Sequence, residues 1–195
     1  MTLPTHAVPQ FRPLKGDFSK VPWPKRWHLV REYLNVERSE RYRPGFRVED
    51  GGVFKPSKGV TWCNVYVTDF IALMGVEAPR HWMTSKGEPA ALGKGVEHRA
   101  NELLDWFGAH GPRYGWASAD SQSAQAAAER GHLVVVGWRN PKRPEPGHIA
   151  IVKGRDRITQ AGKTNQFECT VRMGFGDAQP LEWYIQMDRP GGHNS

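Results

Sequence analysis

The sequence predicts an α+β fold, with helices in its first two-thirds and an antiparallel sheet in its last third. Three observations carry this reading. Cys63, Val67, Phe70, Ile71 and Met74 recur at helical spacing and form one apolar stripe. Leu133-Val134-Val135-Val136-Gly137-Trp138 is a continuous apolar run of strand length. His148–Val152 and Arg157–Ala161 flank a turn at Gly154 and read as a hairpin.

The elements follow in order. Pro4, Pro9, Pro13, Pro22 and Pro24 mark residues 1–24 as an extended arm, ahead of one folded domain over residues 25–188. Trp27, Val30, Leu34 and Val36 predict a helix from about Pro24 to Ser39, with Pro24 accepted in its first turn. Residues 41–60, rich in Gly, Arg and Lys, read as a loop. The helix carrying the stripe runs from Trp62 to Met74, and Gly75 stops it. Residues 79–94 are irregular. A third helix spans Val96 to Phe107, broken by Gly108, Gly111 and Pro112. A fourth covers Asp120 to Arg130, capped by Ser118 or Asp120 and closed by Gly131. After the central strand, a loop over Pro141–Pro146 leads into His148. Thr170–Met173 and Leu181–Met187 are further strands, and residues 189–195 form a disordered tail.

The chain has 195 residues, with 27 Lys and Arg against 20 Asp and Glu, a net charge of +7. Such a surface suits a polyanion, whether nucleic acid, acidic lipid headgroups or a bacterial wall polymer, and charge alone does not choose. The eight tryptophans fit buried packing, with ligand stacking as the alternative. Cys63 and Cys169 cannot build a disulfide framework, and a bridge between them is the one disulfide available. Met1–Pro9 lacks an apolar signal core, and no stretch reaches bilayer length. The expectation is synthesis in the cytoplasm without membrane insertion, and release or delivery if the protein acts outside.

The chemistry centres on Cys63. A thiol at a helix N-terminus feels the positive end of the helix dipole, which favours thiolate. Far downstream, His148 lies in Gly147-His148-Ile149-Ala150-Ile151-Val152, a strand that can present it as a base. With the turn centred on Gly154, His148 and Gln160 lie equally far from it, hence opposite each other on one face, with Cβ atoms about 5 Å apart. Gln160 then accepts a hydrogen bond from the His148 ring and sets its tautomer. Asn165 is the alternative orienter, otherwise a turn residue. The backbone amide of Cys63 is the natural oxyanion donor, with the Asn64 side chain or a donor from Ser57–Thr61 as the second. Taken singly, Cys63 reads as a small buried hydrophobe, His148 as a structural histidine and Gln160 as a sheet-face polar residue. Taken together, they point to nucleophilic catalysis.

Thr61-Trp62-Cys63-Asn64-Val65-Tyr66-Val67-Thr68-Asp69, Gly147–Val152 and Ile158-Thr159-Gln160-Ala161-Gly162 together resemble the CHAP and NlpC-type branch of papain-like cysteine peptidases. Tyr114-Gly115-Trp116 and Ala124-Gln125-Ala126-Ala127-Ala128 add to the likeness, which covers roughly residues 30–187. The resemblance implies a papain-like arrangement of N-terminal helices on a small antiparallel sheet. It implies hydrolysis of an amide bond in bacterial peptidoglycan, by a stem-peptide endopeptidase or an N-acetylmuramoyl-L-alanine amidase. The family nucleophile maps onto Cys63, the base onto His148 and the third, polar position onto Gln160. Many relatives carry Glu, Asp, Asn or His at that third position. Some CHAP domains bind calcium through an Asp-rich loop before the cysteine. Here that loop has only Glu49 and Asp50, so no calcium and no other cofactor is expected. The setting is that of a phage lysin released through a holin pore, or of an antibacterial effector with a secretion-system or immunity partner.

Three rival readings stand beside this one. A nucleic-acid-binding module fits the charge and the Arg-rich residues 38–47, but the chain has no helix-turn-helix, zinc pair or aromatic RNA-binding strand. A metal enzyme finds eight histidines, but none at His-x-x-x-His spacing: His81, His98, His110 and His132 are scattered, and no metal is expected. A catalytically dead, basic binding module of the same fold is the third.

Overall fold

The computed structural model describes residues 14, 16–49, 53–56, 58–76, 82–84, 86, 88, 96–142, 144–177 and 180–188. The tail, Asp50, most of the arm and most of the stretch 79–94 lie outside these residues. Helices and one large antiparallel sheet make the fold α+β.

The first helix, α1 (Trp23–Leu34), has Pro24 in its first turn. It ends five residues before the expected Ser39, because Asn35 adopts the left-handed conformation at φ 42° and returns its N–H to the Arg31 carbonyl. A 3-10 turn over Glu40–Tyr42 follows. The expected loop over 41–60 contains a hairpin of β1 (Phe46–Glu49) and β2 (Val53–Pro56). The signal for it was present, since Asp50-Gly51-Gly52 is turn chemistry between the two runs.

The next helix, α2 (Cys63–Leu73), begins and ends within one residue of expectation, and Gly75 takes φ 75° just past it. The single stripe is corrected. Every residue from Cys63 to Ile71 is buried, and so is Leu73. This is a central helix, buried on nearly all sides although Asn64, Thr68 and Asp69 are polar, and Val65 and Tyr66 already break the one-face pattern. Its one buried acid is held: Arg41 Nη2 donates to Asp69 Oδ1 at 2.8 Å, Arg41 Nε also donates to this carboxylate, and the Tyr42 hydroxyl donates to Oδ2 at 2.8 Å.

Two short strands, β3 (Trp82–Met83) and β4 (Val96–Glu97), pair with each other. Val96 therefore belongs to a strand, and α3 (Ala100–Ala109) starts four residues later than expected. After it come β5 (Trp116–Ala119), which the sequence reading missed, and α4 (Ser121–Glu129). Asp120 caps α4, accepting from Ser123 N at 2.8 Å. The remaining strands are β6 (Val134–Trp138), β7 (His148–Gly154), β8 (Arg157–Gln160), β9 (Gln166–Thr170) and β10 (Leu181–Gln186). Thr170–Met173 is not a strand. Only Thr170 belongs to β9, and it caps the short helix α5 (Val171–Phe175) by accepting from Met173 N at 3.1 Å.

The six-stranded sheet runs β5-β10-β6-β7-β8-β9, antiparallel throughout, with β6 and β7 in its interior. Its strands are apolar on both faces because both faces are covered. Val135, Ile149, Ile151 and Tyr184 join the core formed with α1, α2 and α3. Val134, Val136, Ala150, Val152 and Ile158 join a second core with Ala124, Ala127 and Ala128 of α4 and Val171 and Phe175 of α5. Cys63 and Cys169 are both free, so no bridge joins them.

Candidate active site

Cys63 is the first residue of α2, and Trp62 before it provides no side-chain cap. The first-turn N–H groups of a helix lack intrahelical partners and carry the positive end of its dipole. The Cys63 side chain is almost wholly buried, 4% exposed, and packs with the α1–α3 core. It reaches the sheet at the start of β7, near enough to the His148 imidazole, the Ile149 backbone N–H and the Thr61 hydroxyl for each to favour its thiolate.

His148 arrives from the other face. It shares strand parity with Ala150 and Val152 of the second core, and its ring lies 4.9 Å, centroid to centroid, from that of Phe175. Thiol and imidazole thus approach each other around the end of the sheet. The Gly147 backbone makes this approach feasible: a Cβ there would stand 2.1 Å from the Trp138 carbonyl oxygen and 2.6 Å from Asn101 Oδ1. Trp138 is the cross-strand partner of His148, so the glycine brings the incoming loop tight against that pair. The loop itself is held by Asn101 of α3, whose Oδ1 accepts from Asn140 N at 3.0 Å and whose Nδ2 donates to Asn140 O at 3.2 Å.

Gln160 is buried at the end of β8, and its Oε1 lies 2.5 Å from His148 Nε2. That contact leaves Nδ1 as the ring nitrogen for the thiol. The expected route to it is corrected. The turn is not centred on Gly154. It consists of Arg155 and Asp156, both left-handed at φ 53° and 58°, as a two-residue hairpin turn requires. Ile151 pairs with Thr159 and Val152 with Ile158. On that register Gln160 stands level with Ala150, two residues from His148. A shift of two keeps the face, and a glutamine is long enough to cover the diagonal.

Electrostatics agree with geometry. Burial pushes the Cys63 thiol up, but the hydrogen bond and charge of His148, then the Ile149 N–H and the Thr61 hydroxyl, outweigh it and bring the thiol below its ordinary range. Burial pushes His148 down, but Cys63 and then Gln160 outweigh it and raise the imidazole above its ordinary value. Both shifts favour a thiolate–imidazolium pair. Cys169 is the contrast: burial pushes it up to about 11, and it is a packing residue.

The other expected residues serve elsewhere. Asn165 is not an orienter: its Oδ1 accepts from Gly162 N, and its Nδ2 donates to Val36 O at 2.9 Å and to Tyr42 O at 2.8 Å. It ties the β8–β9 turn to the segment after α1. The Asn64 amide donates to the His98 carbonyl at 3.0 Å, joining the first turn of α2 to the segment before α3. Sequence reasoning missed Phe175, which lies just past the expected strand Thr170–Met173, and Gln166, whose Oε1 accepts from Gln160 Nε2 at 2.6 Å.

A groove of about 580 Å³, lined by residues that include Trp27, Lys153, Arg155 and Glu168, lies at the far end of β7 and shares no residue with this constellation. Among the described residues, no group of three or more His, Cys, Asp or Glu side chains is placed to hold a metal ion. Among them too, no helix is long and apolar enough to cross a membrane. No protein-family profile matches the chain, and no curated protein matches its sequence.

Proposed function

We propose that this protein is a papain-like cysteine hydrolase that cleaves an amide bond of bacterial peptidoglycan. One observation carries the catalytic half of the reading. Cys63, at a helix start with no side-chain cap, lies beside the His148 imidazole at the end of the sheet, and each shifts the other toward its charged form. The substrate half rests on the resemblance of residues 61–69, 147–152 and 158–162 to CHAP and NlpC-type enzymes. A net charge of +7 supports retention on an anionic wall.

The residues assign the steps. The Cys63 thiolate attacks the amide carbonyl, forming an S–C bond. The oxyanion that develops takes the Cys63 backbone N–H. His148 delivers its proton to the leaving nitrogen as the C–N bond breaks, which leaves a thioester on Cys63. Water, deprotonated by His148, hydrolyses the thioester and restores the thiolate–imidazolium pair. Gln160 holds the ring throughout with a neutral acceptor, so it orients the imidazolium without adding charge. These steps need no cofactor. The biological setting we propose is a phage lysis enzyme released through a holin pore, or a delivered antibacterial effector met by an immunity partner. In either setting the wall is the substrate and nucleic acid is not.

Purified peptidoglycan incubated with the full chain should release soluble fragments whose masses identify the cleaved amide. Cys63→Ala should release none while keeping the wild-type melting temperature. Turnover by that variant would refute the assignment. Wall binding by the wild type without any fragment would favour a non-catalytic wall-binding module.

A further inference from the structure

A glutamine is an unusual orienter because its two ends are alike in shape and opposite in hydrogen bonding. Only the oxygen end serves here. With the amide turned over, the NH₂ group would face the imidazolium N–H, donor against donor. Something must set the amide, and the far side of Gln160 supplies it. Gln160 Nε2 donates to Gln166 Oε1 at 2.6 Å, across the directly paired positions of β8 and β9. The Gln166 backbone is fixed in turn. Its carbonyl accepts from the Thr159 hydroxyl at 3.4 Å, and that hydroxyl shares a 2.6 Å hydrogen bond with Tyr66 of α2. α5 closes over the amide, since a Cβ at Gly174 would stand 2.9 Å from Gln160 Oε1.

We propose that Gln166 is a positioning residue for the Cys63–His148 pair: its side-chain oxygen fixes which end of Gln160 meets the imidazole. The two amides then run head to tail, oxygen ends toward His148. Each polarises the next, and the series stabilises the imidazolium as a carboxylate would, without a buried negative charge. This rests on the Cys63–His148 reading and adds a residue to it.

The test needs no substrate. Full-length protein is alkylated with iodoacetamide across a pH series, and the adduct at Cys63 is quantified by mass spectrometry. Gln166→Leu removes the acceptor. It should slow Cys63 alkylation below neutral pH roughly five- to tenfold and move the acid limb toward that of an ordinary thiol. Gln166→Glu keeps an acceptor and should retain the wild-type limb. Gln166→Lys offers only donors, should behave like the leucine variant, and decides the matter if leucine prevents folding. A leucine or lysine profile that superimposes on wild type overturns the proposal. So does a glutamate variant that loses as much as leucine does, because the effect would then be steric. His148→Ala separates the two levels. If it too superimposes on wild type, the Cys63–His148 reading itself fails. If it collapses the low-pH reactivity while Gln166→Leu does not, only the role of Gln166 is lost.

Discussion

His148 and Gln160 hold each other at 2.5 Å although they do not stand opposite one another. The β7–β8 register places Gln160 two residues along from the position facing His148. The contact survives because strands repeat every two residues, so a displacement of two moves a side chain along its face and never through the sheet. A displacement of one would have sent Gln160 toward the α1–α3 core with Thr159. The orienter is thus specified by parity and side-chain length. The register of the hairpin turn sets that parity, and within it decides which diagonal is used.

The opposed shifts of Cys63 and His148 predict a pH signature. The thiol lies below its ordinary value, so thiolate persists as pH falls past the ~8.5 of a free cysteine. The imidazole lies above its ordinary value, so its proton persists as pH rises past ~6.5. Hydrolysis should therefore be bell-shaped. The acid limb should follow Cys63 and the alkaline limb His148. Iodoacetamide at neutral pH should label Cys63 and leave Cys169, raised to about 11, unmodified. In His148→Ala the largest influence that lowers Cys63 is gone, leaving only the Ile149 N–H and the Thr61 hydroxyl against burial, and the preference should weaken sharply. Peptide mapping of the alkylated protein reads all of this. Equal labelling of both cysteines in the wild type would contradict it.

How much of this was legible in the sequence depends on how local the signal was. α2 and the strands β6 and β7 were legible because each is marked by its own local signal: apolar spacing and the Gly75 stop for α2, continuous apolar runs for the strands. The hairpin tip was misplaced because Arg155 and Asp156 adopt left-handed backbone without being glycine or asparagine, while Gly154 beside them attracted the turn. α5 was hidden because Thr170 and Val171 favour strands. Burial of Val171 and Phe175, four apart, against the second core overrides that preference. Gln166 had no local signal. Its role appears only once β8 and β9 are in register, a long-range fact.

Two glycines should report how tightly the site is held. A Cβ at Gly147 meets the Trp138 backbone carbonyl at 2.1 Å, and a carbonyl cannot move without moving the strand that pairs with His148. Gly147→Ala should displace the imidazole, with a loss of turnover on the order of 100-fold and destabilisation of ~1–3 kcal/mol. At Gly174 the nearest atom is the end of the Ile158 side chain, at 2.5 Å, which can turn aside, with Gln160 Oε1 next. Gly174→Ala should cost less in both measures and should shift the pH profile, acting through Gln160 on His148. Denaturant titration and turnover on peptidoglycan separate the two variants. An alanine at 147 as active as wild type would mean that the loop does not position His148.

Asp69 should matter for stability rather than for chemistry. It is buried mid-way along α2, with Arg41 and Tyr42 as its partners. Burial is the largest influence on the carboxyl and raises it, despite Arg41, whereas Arg41 itself is held charged by Asp69 against its own burial. Removing one partner leaves the other buried without its counter-charge, which typically costs ~3–5 kcal/mol. Asp69→Ala should therefore lower the denaturant midpoint sharply. Arg41→Met combined with Asp69→Leu should recover much of the loss, because the penalty comes from the orphaned charge rather than from the missing attraction. The same turn, Glu40–Tyr42, is also gripped by Asn165 through the Tyr42 carbonyl. Loosening it should slacken α2 along its length, and Cys63 at its tip should become less reactive at low pH even in the folded protein. If Asp69→Ala leaves both the midpoint and the alkylation rate of Cys63 unchanged, the 3-10 turn does not anchor α2, and the helix is held by apolar packing alone.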